Sequence, residues 1–175
     1  MKFTFLKGLL RIMFALTFIL APKLSAFSQN FSGQVYLLSE NFLEDRCQVL
    51  IEANDCSTDL IFLSDKTFAM VNRCLYNDTY YVGTYIRKKS LLRFAFKPVM
   101  VREVYDADLD KKKYEKSKLK IEPIEFTVST CDVGKFTLEH TAIKDYKYGS
   151  RITGQPAREK IVKLKISRSW KMISG

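Results

Sequence analysis

A cysteine and a histidine are the first residues to weigh, because a thiolate beside an imidazole is a nucleophile with its base. The chain has one histidine, His140, nine residues after Cys131. It is in phase with Phe136 and Leu138, and a single histidine on an apolar face is ordinarily a core residue with one hydrogen-bond partner. The couple would also need a free thiol in an oxidising compartment and a third group to orient the base, and none is evident. Glu122 and Glu125 make an acid pair, but they flank Pro123 and read as strand-edge charges rather than a glycosidase pair. Asp106, Asp108 and Asp110 alternate like the opening of a calcium loop. Lys111 then stands where the sharp turn needs glycine, and Ser117 where a bidentate acid should close the site. No phosphate-binding loop, zinc-protease helix, nucleophile elbow or dinucleotide fingerprint occurs. With no C-x-x-C pair, neither a metal site nor a cofactor is expected.

Binding is the chemistry that remains. The chain holds 13 Phe, 9 Tyr and 1 Trp, enough to line a pocket as well as fill a core. Tyr76, Tyr80, Tyr81 and Tyr85 cluster along the middle of the chain. Near the end, Arg168 falls in phase with Val162, Leu164, Ile166, Trp170 and Met172. An unpaired buried guanidinium is costly, so it needs a partner. One arrangement has it meet the anionic head of a ligand whose apolar part lies against Phe94, Phe96 and Trp170, with Tyr85 in the same wall. The other has it close one end of the scaffold by stacking on an aromatic ring. Lys163, Lys165 and Lys171 form the opposite, wet face, a place for water or for an anionic partner.

Residues 58–97 carry these candidates. They read as four consecutive strands: short β-branched and aromatic runs bounded by Ser64-Asp65-Lys66, Asn77-Asp78 and Arg87 to Ser90. Leu92, Phe94 and Phe96 face one way, Arg93, Ala95 and Lys97 the other. Lys97-Pro98 is expected to end that run, because proline donates no ladder bond, and residues 99–105 to start a new strand. The charged stretch 106–120 reads as a solvated loop or short helix. Residues 119–130 and 133–142 give two more strands, 145–150 and 154–156 read as turns, and 159–173 reads as an amphipathic last strand of period two. Successive antiparallel hairpins must close or be covered to hide their edges. The fold expected is therefore all-β, a single antiparallel meander closing into a barrel with little helix.

Residues 1–28 have the form of a secretory signal: Lys2, Lys7 and Arg11, then the apolar run 12–20, then Ser25, Ala26 and Ser28 for cleavage after Ala26 or Ser28. The run is about half the ~20 residues a helix needs to span a bilayer, and no later segment spans one. Residues 29–175 are then the barrel domain. Four of the 29 basic residues and none of the 19 acidic ones lie in the signal, which leaves a moderate positive excess. That excess favours anionic surfaces and carries no nucleic-acid motif. Cys47, Cys56, Cys74 and Cys131 all lie in the exported part, so two disulfides are expected from three connectivities. If Leu63 faces Thr67 around a three-residue turn, counting back brings Cys56 opposite Cys74, the favoured pair.

Gly33 on the first strand, then Leu60 to Phe68 (LIFLSDKTF), then Tyr81 to Tyr85 (YVGTY) resemble small lipocalin-like envelope proteins over residues 31–96. In that family a first-strand tryptophan is covered by an arginine near the last strand. Here Tyr36 is near the tryptophan's place and Arg168 fits the arginine's, so the resemblance implies that Arg168 stacks on Tyr36. The expected protein is a periplasmic or secreted, non-enzymatic binder of a small, partly apolar ligand or envelope component. A structural or adhesion-type module with a side-chain-filled barrel is the alternative, and an enzyme the third.

Overall fold

The turn after Leu63 sets the register of the molecule. Leu63 N donates to Thr67 O at 2.9 Å, and the Ser64 and Thr67 hydroxyls lie 2.7 Å apart, which closes a three-residue turn. In the computed structural model, β4 (Ser57–Phe62) and β5 (Thr67–Cys74) pair from Phe62 opposite Phe68 to Ser57 opposite Arg73. One step further Cys56 meets Cys74, and the two form a disulfide with Cα atoms 4.4 Å apart. The favoured pair is therefore present. Cys131 is disulfide-bonded as well.

The structure describes residues 30–39, 41–43, 46, 48–49, 56–132, 135–140 and 148–175. The expected signal segment and Cys47 lie outside them. Phe31–Gly175 form one compact unit. Among the described residues the remaining strands are β1 (Val35–Ser39), β2 (Phe42–Leu43), β3 (Gln48–Val49), β6 (Asn77–Lys88), β7 (Leu91–Asp106), β8 (Lys111–Ser117), β9 (Ile124–Asp132), β10 (Lys135–His140) and β11 (Tyr148–Ile152). Eight of them close a barrel in the cyclic order β1, β4, β5, β6, β7, β9, β10, β11, every pair antiparallel, with β11 returning to β1. The all-β meander barrel expected from the sequence is what forms, followed by two short helices, α1 (Gly154–Ile166) and α2 (Arg168–Ser174).

Three local expectations are corrected. Pro98 does not end a strand: β7 runs 16 residues through it. Gly83 pairs with Phe96 and Tyr81 with Met100, so the β7 side of the ladder has two extra residues around Pro98. A bulge accommodates a residue that donates no ladder bond. The charged stretch is solvated but extended, since the long outer half of β7 (Met100 to Asp106) offers an edge that β8 occupies. The helix lies at the C-terminus instead, in a segment expected to be a strand. Pro156 sits in its first turn, and Ala157, Lys160, Ile161 and Leu164 face inward at helical spacing, leaving Val162 and Ile166 exposed. The apparent alternation mixed two helix faces. The last barrel strand is therefore β11, a segment whose start read as a turn.

Strand alternation sorts the side chains into two cores. Tyr36, Leu38, Leu60, Phe62, Phe68 and Phe94 lie inside the barrel with other large residues. Val35, Ile61, Val71, Val82 and Val101 face outward and are covered by Ala157, Leu164 and Ile173 of the two helices.

Candidate functional site

One half of the lumen is packed solid. Phe62 and Tyr85 have ring centroids 4.9 Å apart, Phe68 and Phe94 4.7 Å, Phe94 and Phe126 5.3 Å. Arg87 lies over Phe31 at 5.1 Å. Tyr36 is fully buried, and its hydroxyl donates to Gln34 Oε1 at 3.1 Å. Burial pushes the Tyr36 pKa up to about 12, against the pull of the nearby Arg151 and Arg87 charges. Arginine thus does neighbour Tyr36, but it is Arg151 of the true last strand, not Arg168.

The other half is lined differently. Cross-strand partners share a face, so Leu60, Met70, Tyr81 and Met100 form one inward layer, and Leu38, Thr58, Asn72, Thr79 and Arg102 form the next. The first layer is apolar, with Phe96 packed 5.2 Å from Phe68 and 6.1 Å from Tyr81. The second is mostly polar. Within it Thr58 is 1% exposed, and its Oγ1 has no hydrogen-bond partner among the described residues. A buried hydroxyl left unpaired costs on the order of 1–3 kcal/mol. No sequence pattern marks Thr58; its lack of a partner is a property of packing.

The structure divides the five residues expected to touch ligand. Phe94, Tyr85 and Phe96 meet inside the barrel, with Phe94 and Tyr85 buried in the packed half and Phe96 partly buried against Phe68 and Tyr81. Trp170 packs against the outer core. Arg168 starts α2, is exposed, and lays its guanidinium 4.9 Å from the centroid of the Tyr114 ring. The strand that would have carried Arg168 toward Tyr36 does not exist, so that stacking does not form. Of the tyrosine cluster, Tyr81 and Tyr85 turn inward while Tyr80 joins the outer core and Tyr76 is exposed. The His140 side chain lies outside the described residues. The three aspartates at the β7–β8 turn gather no metal site: among the described residues no three His, Cys, Asp or Glu side chains converge on one. Asp106 is instead engaged by Lys113, whose hydrogen bond lowers its pKa.

Outside the barrel, beneath the helices, lies an ionic network. Asp59, fully buried, accepts from Lys160 Nζ at 2.8 and 2.9 Å and from Arg73 Nε at 3.0 Å. Arg73 Nη1 also reaches Asp78 Oδ2 at 3.0 Å. Glu103, cross-strand partner of Asp78, accepts from Ser169 Oγ at 3.0 Å, from Tyr80 OH at 3.3 Å and from Lys112 Nζ. Burial raises the Asp78 pKa despite Arg73, with Glu103 adding to the rise. The Glu103 hydrogen bond raises that of Lys112. A cleft of about 250 Å³ opens above this network, with buried Tyr80 and Glu103 at its base and Tyr114, Lys163 and Arg168 on its walls. A second hollow of about 140 Å³ adjoins Asp78, Glu103 and Lys112 on the side of Leu75, Tyr76 and Tyr105. The arrangement fixes charges in place, with Glu103 held by Ser169, Tyr80 and Lys112.

No protein-family model and no characterised protein matches the sequence. Among solved structures, the fold matches a streptavidin-like protein from Bacteroides eggerthii DSM 20697, with a TM-score of 0.53 and 13% identity over 79% of this chain and 91% of that one. At that identity the likeness is one of fold. The lipocalin-like phrases thus point to the right kind of scaffold, an up-and-down eight-stranded barrel of the sort lipocalins and streptavidin share, and its resemblance is to the streptavidin-like form.

Proposed function

We propose that the protein is an exported, non-enzymatic binding protein that takes a small, partly apolar ligand into the half of the barrel around Thr58. The orphan Thr58 hydroxyl carries this reading: a polar atom with no partner among the described residues, in a polar layer next to an apolar one, is suited to a ligand with an apolar body and a polar head. Phe96, Tyr81 and Met70 would hold the body; Thr58 and Asn72 would orient the head. Phe94 and Tyr85 form the packed base beneath, and Arg168 and Trp170 take no part. The distant streptavidin-like fold supports binding as the class of function. The Cys56–Cys74 disulfide fits an oxidising compartment, and the leader-like pattern of residues 1–28 supports export to it. Among the described residues no helix is long and apolar enough to cross a membrane.

The test is Thr58→Val, which keeps the shape and removes the hydroxyl. Native mass spectrometry of the protein recovered after export should find a small molecule on the wild type and less of it on T58V, while the emptied T58V melts higher. A wild type that carries no small molecule and binds no apolar fluorophore, with Phe96→Ala changing neither result, would favour the side-chain-filled interaction module instead.

A further inference from the structure

We propose that the cleft between α1, α2 and the β6–β7–β8 ribbon binds a phosphate-type oxyanion, with Lys163 and Arg168 as its cationic ligands. A count of charges leads there. Asp59, Asp78 and Glu103 are the carboxylates beneath the helices, and Arg73, Lys160 and Lys112 are bonded to them. The cleft walls then carry Lys163 and Arg168 in addition, and neither has a carboxylate partner among the described residues. Two surplus cations over a neutralised base make a local positive field that no carboxylate among the described residues balances.

Arg168 is also held in a fixed attitude. Its guanidinium carbon lies over the Tyr114 ring, 4.9 Å from the centroid, and an arginine on an aromatic face keeps N–H groups able to donate. A planar fork with fixed direction suits the paired oxygens of a phosphate or sulfate, and Lys163 supplies a mobile point charge beside it. The cleft, about 250 Å³, has room for the anion with part of its hydration or of the molecule that bears it.

Two sources share this chemistry: a free phosphate and a lipid headgroup. The second is compatible with the exposed Val162 and Ile166 on α1, flanked by Arg158 and Lys165 on the same helix, because aliphatic residues among basic ones suit an anionic membrane surface. The oxyanion site is independent of the lumen reading, and T58V should leave it unchanged.

The experiment has two arms, each run on wild type, K163M/R168M and the control K88M/K118M, two exposed lysines outside the cleft lining. In the first, inorganic phosphate is titrated at constant ionic strength and the melting temperature followed. In the second, co-flotation is measured with vesicles of phosphatidylcholine alone and with phosphatidylglycerol added. Phosphate affinity that falls about tenfold or more in K163M/R168M but holds in the control identifies a free oxyanion. Flotation only with the anionic vesicles, lost in K163M/R168M and weakened in V162S/I166S, identifies a headgroup. Absence of binding in both arms, or binding that K163M/R168M does not weaken, overturns the proposal. Both side chains are exposed; should the double variant still melt early, R168K replaces it. That variant keeps the charge and loses the oriented fork, so binding should weaken several-fold, and unchanged binding overturns the proposal equally.

Discussion

Tyr36 and Arg151 stand opposite each other where the first and last barrel strands meet, one on β1 and one on β11. The tyrosine is fully buried, and Arg151 and Arg87 bring positive charge near a hydroxyl that burial keeps protonated. This end of the barrel is closed by rings, Phe31, Tyr36 and Phe62, with Arg87 lying over the first of them. The closure needs no ligand.

It does have an alkaline limit. An unfolded tyrosine gives up its proton near pH 10, whereas native Tyr36 holds it to about 12. The native state therefore retains a proton that the unfolded state loses, so this contribution is complete below pH ~10 and disappears as pH rises through the native value. The loss amounts to up to about 3 kcal/mol. Urea unfolding of wild type and Tyr36→Phe at a series of alkaline pH values should give a shallower decline for the variant. Some slope will persist, because burial also raises Tyr80 and Tyr85. Equal slopes in the two proteins would count against the assignment.

The Cys56–Cys74 bridge spans 18 residues. Restricting a loop of that size in the unfolded chain is worth about 3 kcal/mol. C56S/C74S should lose about that much stability while keeping the β4–β5 register, which the turn at Ser64 to Thr67 holds by itself. Urea unfolding measures the first effect, and protection of the Leu63 amide from exchange measures the second. A protein that loses the protection as well would show that the disulfide, and not the turn, sets the register.

This hairpin was legible in the sequence on one condition: a three-residue turn after Leu63 brings Cys56 opposite Cys74, a two-residue turn does not, and the chain makes the first. Elsewhere the signals conflict. Around Pro98 the chain satisfies the missing donor with a bulge, a solution that depends on β6 and cannot be read from β7. In α1, Ala157, Ile161 and Leu164 carry a helical period and Pro156 a helix start, but exposed Val162 and Ile166 overlay a false period of two. The inward phase of Arg168 belongs to a strand that does not form, and Arg151 lies in a segment that opens like a turn. Thr58 could not be found at all, since a threonine on a strand is unremarked until its neighbours are known.

Gly83 marks the place where β6 and β7 change register. A Cβ there would lie 2.1 Å from the Ala95 carbonyl oxygen and 2.8 Å from Phe68 Cε1. The first contact is with backbone and cannot be relieved by a rotamer. Gly83→Ala should destabilise by about 3 kcal/mol, the upper end for overpacking, whereas Thr84→Ala on the exposed side of the same strand should cost well under 1 kcal/mol. Paired denaturation curves decide it; similar costs at the two positions would mean that the strands separate easily here.

Asp59 is where the helices are tied to the barrel. It is fully buried on the outer face of β4, and it receives Lys160 from α1 and Arg73 from β5. Removing one partner of a buried pair leaves the other desolvated and unmatched, which costs about 3–5 kcal/mol. Lys160 and Arg73 are each about a third exposed, so water can recover part of that, and the cost of Asp59→Asn should fall near 2–3 kcal/mol. Lys160→Met should cost less, because Arg73 still serves Asp59 and the methionine can pack beside Ile161. The order matters more than the sizes. If α1 is held chiefly by Ala157 and Leu164 against the sheet, K160M will leave amide exchange in the helix unchanged, while Leu164→Ala will speed it. If the ion pair is the tie, K160M will speed exchange throughout α1 and leave β9 and β10 as they were.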